Sequence, residues 1–439
     1  MKYKKYPSYK DSGVEWLGEI PSEWEKIPAR AIVSNLMKKN TDNKDDRYLS
    51  LMANIGVIRY EDKGDVGNKK PDDLSKCKIV NKGNLIINSM NYSIGSFGMS
   101  QYDGICSPVY VVLDINKIVI DSKYALRIFE NSGYQKFISS FGNGILAHRA
   151  AIGWDEIKGS YMPLPSIHEQ QQIANFLDKA TAKIDTLIEK QTKQIELLKE
   201  KRQAVISHAV TKGINPNVPM KDSGVEWLGE IPEHWKIIPL RHLGQLQNGV
   251  SKGSDYFGSG YPFINYGDIY NNDIIPSQIN GFAQSSLEDR IAYSVKKGDM
   301  FFTRTSETIH DIGMASTCLQ TIPNATFSGF TIRFRQLKEV LIPSFSRYQF
   351  RSGYSQSFFV KEMNLVTRAS LGQDLLKRLH TIVPPLKEQQ QIANYLDDKT
   401  SKIDTLIEKS NRSIELLKEK RTAIISAAVT GKIDVREFE

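Results

Sequence analysis

Cysteine is scarce in this 439-residue chain, where Cys77, Cys106 and Cys318 form an odd, widely separated set. That excludes a disulfide framework and a CxxC zinc or redox site, and leaves the three as buried packing residues. No apolar run approaches the roughly 18 residues that a membrane span requires. The basic, tyrosine-rich stretch from Met1 to Lys10 has neither the apolar core nor the small-residue cleavage site of a secretory signal. The expected compartment is the cytoplasm. The charge excess is small, 58 Lys+Arg against 50 Asp+Glu. It permits an anionic partner such as DNA without requiring one.

Catalytic signatures are also missing. There is no Asn/Asp-Pro-Pro-aromatic pocket or glycine-rich turn of an adenine methyltransferase. The phosphate-cradling GxxxxGK[ST] fails at Gly431-Lys432, where Ser426 replaces the first glycine and Ile433 follows. Pro71-Asp72 lacks the acidic-x-Lys of a nuclease and reads as a surface turn. His310-Asp311 suggests a metal dyad, but His148, His168, His234, His242 and His380 give it no ligand spacing, and His208 belongs to a helix. The expectation is a binding protein with no catalytic residue, no metal and no cofactor of its own.

What the sequence does contain is a duplication. Lys10-Asp11-Ser12-Gly13-Val14-Glu15-Trp16-Leu17-Gly18-Glu19-Ile20-Pro21 returns unchanged as Lys221 to Pro232, and Trp24, Ile27, Pro28 and Arg30 return as Trp235, Ile238, Pro239 and Arg241. A second match starts at Arg149, repeated as Arg368, and runs to Thr211, repeated as Thr430; His168–Thr211 and Lys387–Thr430 share 32 of 44 positions. The offset changes from 211 to 219, so the 118 residues from Ala31 to His148 correspond to 126 from His242 to Thr367. A near-identical frame encloses two divergent inserts.

Each frame ends in a long helix. Ile173, Leu177, Ala180, Ile184 and Leu187 recur at spacings of four and three, and Ile188, Ile195, Leu198, Arg202, Val205 and Ala209 continue the stripe after a one-residue slip. Ser166 with Glu169 predicts a capping box, and Gly213 and Pro216 stop the helix; the twin runs from about Leu386 to Thr430, with Gly431 as its stop. About 40 residues give a rod of roughly 60 Å. The short linker Lys212–Met220 favours antiparallel pairing of the two rods over parallel, which would put both inserts at one end. Polar seam residues such as Gln191 and Lys193 could admit helices of another protein. The inserts read as mixed α/β. Asn84–Asn88 after Lys82-Gly83 and Asp299–Thr303 after Lys297-Gly298 are a shared turn-plus-strand, Val109–Leu113 and Phe330–Phe334 are strands, and Tyr124–Phe141 and Ser344–Phe359 are helices.

Ser-Gly-Val-Glu-Trp-Leu-Gly-Glu-Ile-Pro before each insert, Pro-x-x-x-Glu-Gln-Gln-Gln-Ile-Ala-Asn-aromatic-Leu-Asp after it, and Ile-Asp-Thr-Leu-Ile-Glu-Lys, Glu-Leu-Leu-Lys-Glu-Lys-Arg and Ala-Val-Thr in both helices resemble the DNA-specificity subunit of type I restriction-modification enzymes, over the whole chain. The resemblance implies an α+β fold. Two mixed α/β target-recognition domains are each followed by a long helix, and the helices pair as an antiparallel coiled coil with pseudo-two-fold symmetry. The implied boundaries are 1–165 and 221–385 for the domains, with variable inserts 31–148 and 242–367. The spacer helices are 166–211 and 386–431, the linker 212–220 and the tail 432–439. The resemblance further implies an asymmetric bipartite target in double-stranded DNA, with one half-site per domain. Two modification subunits would carry S-adenosylmethionine, and restriction subunits would use ATP and Mg. Alternatives are a specificity subunit of a different or fused methyltransferase system, or a coiled-coil scaffold whose inserts bind other ligands.

Among individual residues, Asn88, Ser89, Asn91 and Tyr92, and Thr303, Arg304, Thr305 and Ser306, follow the shared strand and are the expected base contacts, since Asn pairs with adenine and Arg with guanine in the major groove. Lys69, Lys70, Lys296 and Lys297 are candidate phosphate contacts. Neither insert is strongly basic, with 15 Lys+Arg to 12 Asp+Glu and 11 to 10. Arg149 and Arg368 read as structural or phosphate-positioning. Trp16, Trp24, Trp227 and Trp235 read as packing the inserts against the helices. Ile184, Leu187, Ile195, Leu198, Ile403, Leu406, Ile414 and Leu417 are the expected partner-docking positions of the helices.

Overall fold

The computed structural model describes residues 3–67, 69–142, 151–306, 311–362 and 369–438. The chain divides into two compact units, residues 1–192 with 412–439, and residues 193–411. Each unit contains one insert, its frame and a stretch of both long helices, Ile167–Lys212 and Leu386–Val429.

In the first unit the insert leaves and rejoins the frame at one place, because Glu25–Pro28 pairs antiparallel with Tyr161–Leu164, Ile27 opposite Met162. The insert is built on a four-stranded sheet in the order Val33–Asn35, Tyr110–Ile115, Leu85–Asn88, Phe97–Met99. Leu85, Ile86 and Ile87 are all buried. Leu85 and Ile87 pack with Tyr124, Ile128 and Phe129 of the helices, whereas Ile86 packs with Leu49, Leu51 and Val57 of the hairpin Leu49–Met52/Gly56–Arg59. Covering on both faces explains why this strand reads as a continuous apolar run without alternation.

The second unit repeats the plan. Lys236–Pro239 pairs with His380–Val383, and its sheet runs Gly244–Asn248, Thr331–Gln336, Met300–Thr303, Ala315–Thr317. Met300 and Phe302 face the helix-side core and Phe301 the opposite one. The turn before the central strand is the same in both units. The Asn84 side chain accepts the Asn81 N–H at 2.7 Å, and Asp299 accepts the Lys296 N–H at 2.7 Å. The second insert adds a three-stranded sheet in which Phe263 pairs in parallel with Thr326.

Both units pair the long helices antiparallel. In the first, Arg421 donates to Asp185 at 2.9 Å, and Gln172 bonds the Arg436 carbonyl of the tail at 3.0 Å; in the second, Arg202 donates to Asp404 at 2.9 Å. Leu177 and Ile184 share a core with Ile424, Ile425 and Ala428, and Ile206, Ala209 and Val210 share one with Ile392, Ala393 and Leu396.

Two local expectations are corrected. The capping box is only half formed, since Ser166 Oγ accepts the Glu169 N–H at 3.3 Å while the Glu169 carboxylate accepts from Tyr6 Oη at 2.7 Å and Trp24 Nε1 at 3.1 Å. Buried donors claim it because the solvent-facing N–H of the exposed Ser166 needs no protein acceptor. The helix expected over Tyr124–Phe141 is two helices, Ser122–Glu130 and Ser132–Ser139, because the buried Asn131 side chain accepts from Gly133 N and Tyr134 N and caps a new start. The helix expected over Ser344–Phe359 likewise divides into Pro343–Gln349 and Gly353–Glu362.

The cysteines are free and buried, as expected, and burial pushes the Cys106 and Cys318 thiols up to about 12. At the chain ends, the Asp434 N–H donates to the Lys4 carbonyl at 2.9 Å, and the Tyr3, Phe176 and Phe438 rings meet edge-on or tilted.

The second unit has the same tryptophan–carboxylate bond, Trp235 Nε1 donating to Glu388 at 2.9 Å. Glu169 is buried, whereas the Glu388 side chain is 34% exposed. Glu169→Ala would strand two buried donors and is expected to cost about 3 kcal/mol, against about 1.5 kcal/mol for Glu388→Ala, which strands only the buried Trp235 while the exposed His234 turns to water. Urea melts of the two variants check this; equal losses would contradict it.

Candidate nucleic-acid interface

The residues after the central strand occupy different surroundings in the two inserts. Asn88 closes its strand, its N–H donating to Ser96 O and its Oδ1 accepting from Met90 N at 3.1 Å. Ser89 Oγ donates to the Val109 carbonyl. Asn88 and Asn91 line a cleft of about 170 Å³ with Tyr48, Ser50, Lys63 and Ile94. Tyr92 departs from the expectation of a base contact: it is 2% exposed and its hydroxyl donates to Phe129 O at 2.6 Å, a core position imposed by the short 3-10 turn Tyr92–Ile94. In the second insert Thr303 is also withdrawn, fully buried with its Oγ1 accepting the Met314 N–H at 2.9 Å. Arg304 reaches further out, with Nη1 anchored to the Gly329 carbonyl at 3.0 Å. Thr305 and Ser306 pair with Ser370 and Ala369.

In the second insert the lysines do not gather around these groups. Lys296 and Lys297 are exposed, but they lie on the turn that enters the strand Met300–Thr303 while Arg304 leaves it. At about 3.3 Å per residue the strand alone holds the two sets 10 Å or more apart. Lys69 is exposed, and Lys70 Nζ donates to the Asp46 carbonyl at 2.8 Å. Arg149, Arg368, His148 and His310 lie outside the described residues. Lys63, Tyr48 and Ser50 escaped the sequence reading because nothing in it linked the hairpin near residue 50 to the strand near residue 88.

The tryptophans fall at the frame. Trp24 and Trp235 bond the first turns of the helices, Trp16 Nε1 donates to Tyr161 O, and Trp227 packs on Phe358. Of the helix positions, Ile184, Ile195 and Ile403 are buried, and Leu198, Ile414 and Leu417 partly so. Leu187 and Leu406 are exposed, at 41% and 45%. The sequence reading missed two further exposed leucines, Leu197 and Leu416, which also correspond in the two frames.

An ionic clasp joins each insert to its helices. In the first unit Arg127, whose side chain is 11% exposed, bonds Asp178 at 2.8 Å and also Glu130, and Arg421 bonds Glu130 at 2.6 Å and Asp185 at 2.9 Å. In the second, Arg347 bonds Asp397 and Asp273, and Arg202 bonds Asp404. Asp178/Asp397, Asp185/Asp404 and Arg421/Arg202 are corresponding frame residues.

A duplicated frame that carries two differently tipped readers defines a two-headed recognition protein. Among the described residues no three or more His, Cys, Asp or Glu stand together as a metal site, and no helix is long and apolar enough to cross a membrane. The model of the type I restriction modification DNA specificity domain matches residues 21–197 and again 232–416, so the chain belongs to that family. It is a type I specificity subunit: it recognises DNA sequence and is itself non-catalytic. The type I restriction enzyme MjaVIII specificity subunit of Methanocaldococcus jannaschii is 23% identical over 95% of each chain, and the EcoKI specificity subunit of Escherichia coli K12 is 23% identical over 95% of this chain and 90% of that one. Two solved structures share the fold. One, from work on assembly and conformational transition of the type I R-M system, has a TM-score of 0.69 at 15% identity, covering 93% of this chain and 98% of its own. The HsdS subunit of Thermoanaerobacter tengcongensis has a TM-score of 0.53 at 15% identity, covering 94% and 98%.

Burial raises the Asp178 carboxyl, but the hydrogen bonds and charges of Lys123 and Arg127 outweigh it and hold the group below the ordinary aspartate range. A depressed folded value stabilises above the unfolded pKa, near 3.9, and that contribution is lost as pH falls through the folded value. Asp178→Asn is therefore expected to flatten the loss of stability below about pH 4. Urea melts between pH 2 and 5 measure it, and an unchanged acid limb would contradict the assignment.

Proposed function

We propose that each insert reads one half of an asymmetric, split DNA sequence, and that the helices seat two modification subunits which methylate adenine at that site, with ATP-driven restriction subunits joining them. The observation that carries this is the pairing of two equivalent frames with two unequal tips. One sheet plan ends in Asn88 and Asn91 in the first insert and in Arg304 in the second. Asn suits adenine and Arg suits guanine in the major groove, so the two half-sites differ. Two readers on corresponding frames bind two half-sites at a fixed spacing. The target adenine must leave the stack to be methylated, since its amino group is otherwise inaccessible. That chemistry, with S-adenosylmethionine, ATP and Mg, belongs to the partners.

The base-contact set becomes Asn88, Ser89 and Asn91 with Arg304, Thr305 and Ser306, while Tyr92 and Thr303 support the tips from the core. Lys69, Lys70, Lys296 and Lys297 remain the proposed phosphate contacts, with Lys296 and Lys297 at the far end of the strand from Arg304. Docking on the helices is best served by Leu187 and Leu416 in one unit and Leu197 and Leu406 in the other, one exposed leucine from each helix in each unit. Large exposed apolar side chains on otherwise charged helices are candidates for a partner's surface.

Alone, the chain should neither methylate nor cut DNA; with its modification partner, a methylome should show adenine modified at one bipartite motif. Exchanging residues 31–148 for another insert should change one half of that motif and leave the other intact. Absence of a split motif, or a change in both halves, would refute the reading. Glu in place of both Leu187 and Leu416 should release one of two modification subunits, read by native mass spectrometry, without lowering the melting temperature. Retention of both subunits would overturn the docking assignment.

A further inference from the structure

We infer that the cleft of the first insert receives a single base turned out of the duplex within the first half-site, held by Asn88. This rests on the DNA-reading role proposed above. The cleft, about 170 Å³, is smaller than the roughly 300–1,000 Å³ of sites for drug-sized ligands. One flat ring fits in it.

Its floor is a poised donor. Asn88 is only 6% exposed, and the Met90 N–H occupies its Oδ1, which fixes the side-chain amide and leaves Nδ2 as the group facing the cleft. No acceptor among the described residues takes the Nδ2 hydrogens, so they are free to donate to an incoming carbonyl or ring nitrogen. Tyr48 and Tyr110, both nearly buried, supply aromatic wall. A planar ligand with an acceptor edge is what these groups recognise, and a nucleobase is one.

The rim supplies a means of delivery. Ile55, Met90 and Ile94 are 69%, 48% and 55% exposed. Ile55 and Ile94 sit on turns bonded to each other, Asn54 N donating to Gly95 O at 2.9 Å. The turns touch so closely that a Cβ on Gly95, at φ +88°, would lie 2.4 Å from Asn54 Oδ1. Apolar side chains entering between base steps unstack them, and an unstacked base needs a receiving site. The second insert is built otherwise at this point, since Thr303, the counterpart of Asn88, is fully buried and bonded to Met314.

The test uses the complex with modification subunits, without S-adenosylmethionine, on duplexes of its split sequence. 2-Aminopurine or pyrrolocytosine, both brighter when unstacked, is placed at each position in turn. One position in the first half-site, distinct from the methylated adenines, should brighten several-fold. Asn88→Asp, which keeps the shape but replaces the donor with an acceptor, should abolish that signal and weaken binding about tenfold, while brightening at the methylated adenines persists. Ile94→Ser, on the exposed rim, should also reduce the signal with the melting temperature unchanged. Brightening confined to the methylated adenines, or an extra signal that survives both variants, overturns the inference while leaving sequence-specific binding intact. Fluorescence anisotropy showing no preference for the split sequence would overturn the DNA-reading role itself, and the inference with it.

Discussion

A single hydrogen bond, from a frame tryptophan to a glutamate in the first turn of a long helix, ties the pieces of each unit together. Trp24 stands just before the strand that leads into the first insert, and Glu169 just after the strand that leads out. Trp235 and Glu388 repeat the arrangement. The bond therefore fixes the helix to the neck of the insert, where both of its connections meet. A carboxylate near a helix N-terminus is also favoured by the orphan N–H groups there, so the same residue serves helix start and neck. The two copies differ in their second donor. Tyr6 completes Glu169 in a buried site, whose burial and negative charge push the tyrosine hydroxyl well above its ordinary range. Exposed His234 completes Glu388.

The ionic clasps then determine how an insert lies on the helices of its own unit. Their carboxylates, Asp178 and Asp397, belong to the frame, whereas their arginines, Arg127 and Arg347, belong to the diverged inserts. Thr181 and Thr400, again corresponding frame residues, bond Arg127 in one unit and Tyr348 in the other. These pairs are largely enclosed on the arginine side, 11% and 14% exposed, so they are screened less than surface pairs and carry orientational weight. The Arg202–Asp404 pair, more open, contributes less.

These relations also mark what could be read from the chain without coordinates. The frame was legible because it occurs twice, and the helices because a seam of period near 3.5 has no other use. The buried strands were legible as apolar runs behind a Lys-Gly turn. Glu169 was misread because a Ser-x-x-Glu pattern is satisfied locally by a capping box, and only Tyr6 and Trp24, more than 140 residues away in sequence, show where its carboxylate goes. Asn131 reads as helical because the apolar periodicity runs on from Tyr124 to Phe141, although Asn131-Ser132-Gly133 is itself a break signal; in the fold the buried Asn131 side chain caps a new helix. The tips were least legible. Whether a polar residue after a strand faces solvent or core is decided by what packs across it, and the same stretch gives Asn88 at a cleft and Tyr92 in the core.

That unevenness follows from how the work is divided in the molecule. A frame must satisfy the same contacts in both copies, so its constraints repeat and appear as identity. The tips of the two inserts have diverged, so their constraints are individual. What the inserts keep in common is limited to what touches the frame or holds the sheet: the turn bond at Asn84 and Asp299, and the arginines of the clasps. The second insert even replaces an amide–carboxylate hydrogen bond at that turn, Asn84 to Asp114, with an ion pair, buried Asp299 to Arg335 at 2.6 Å, and retains the strand order. Tolerance of that exchange beneath an unchanged frame is the physical basis on which one scaffold can carry unrelated specificities.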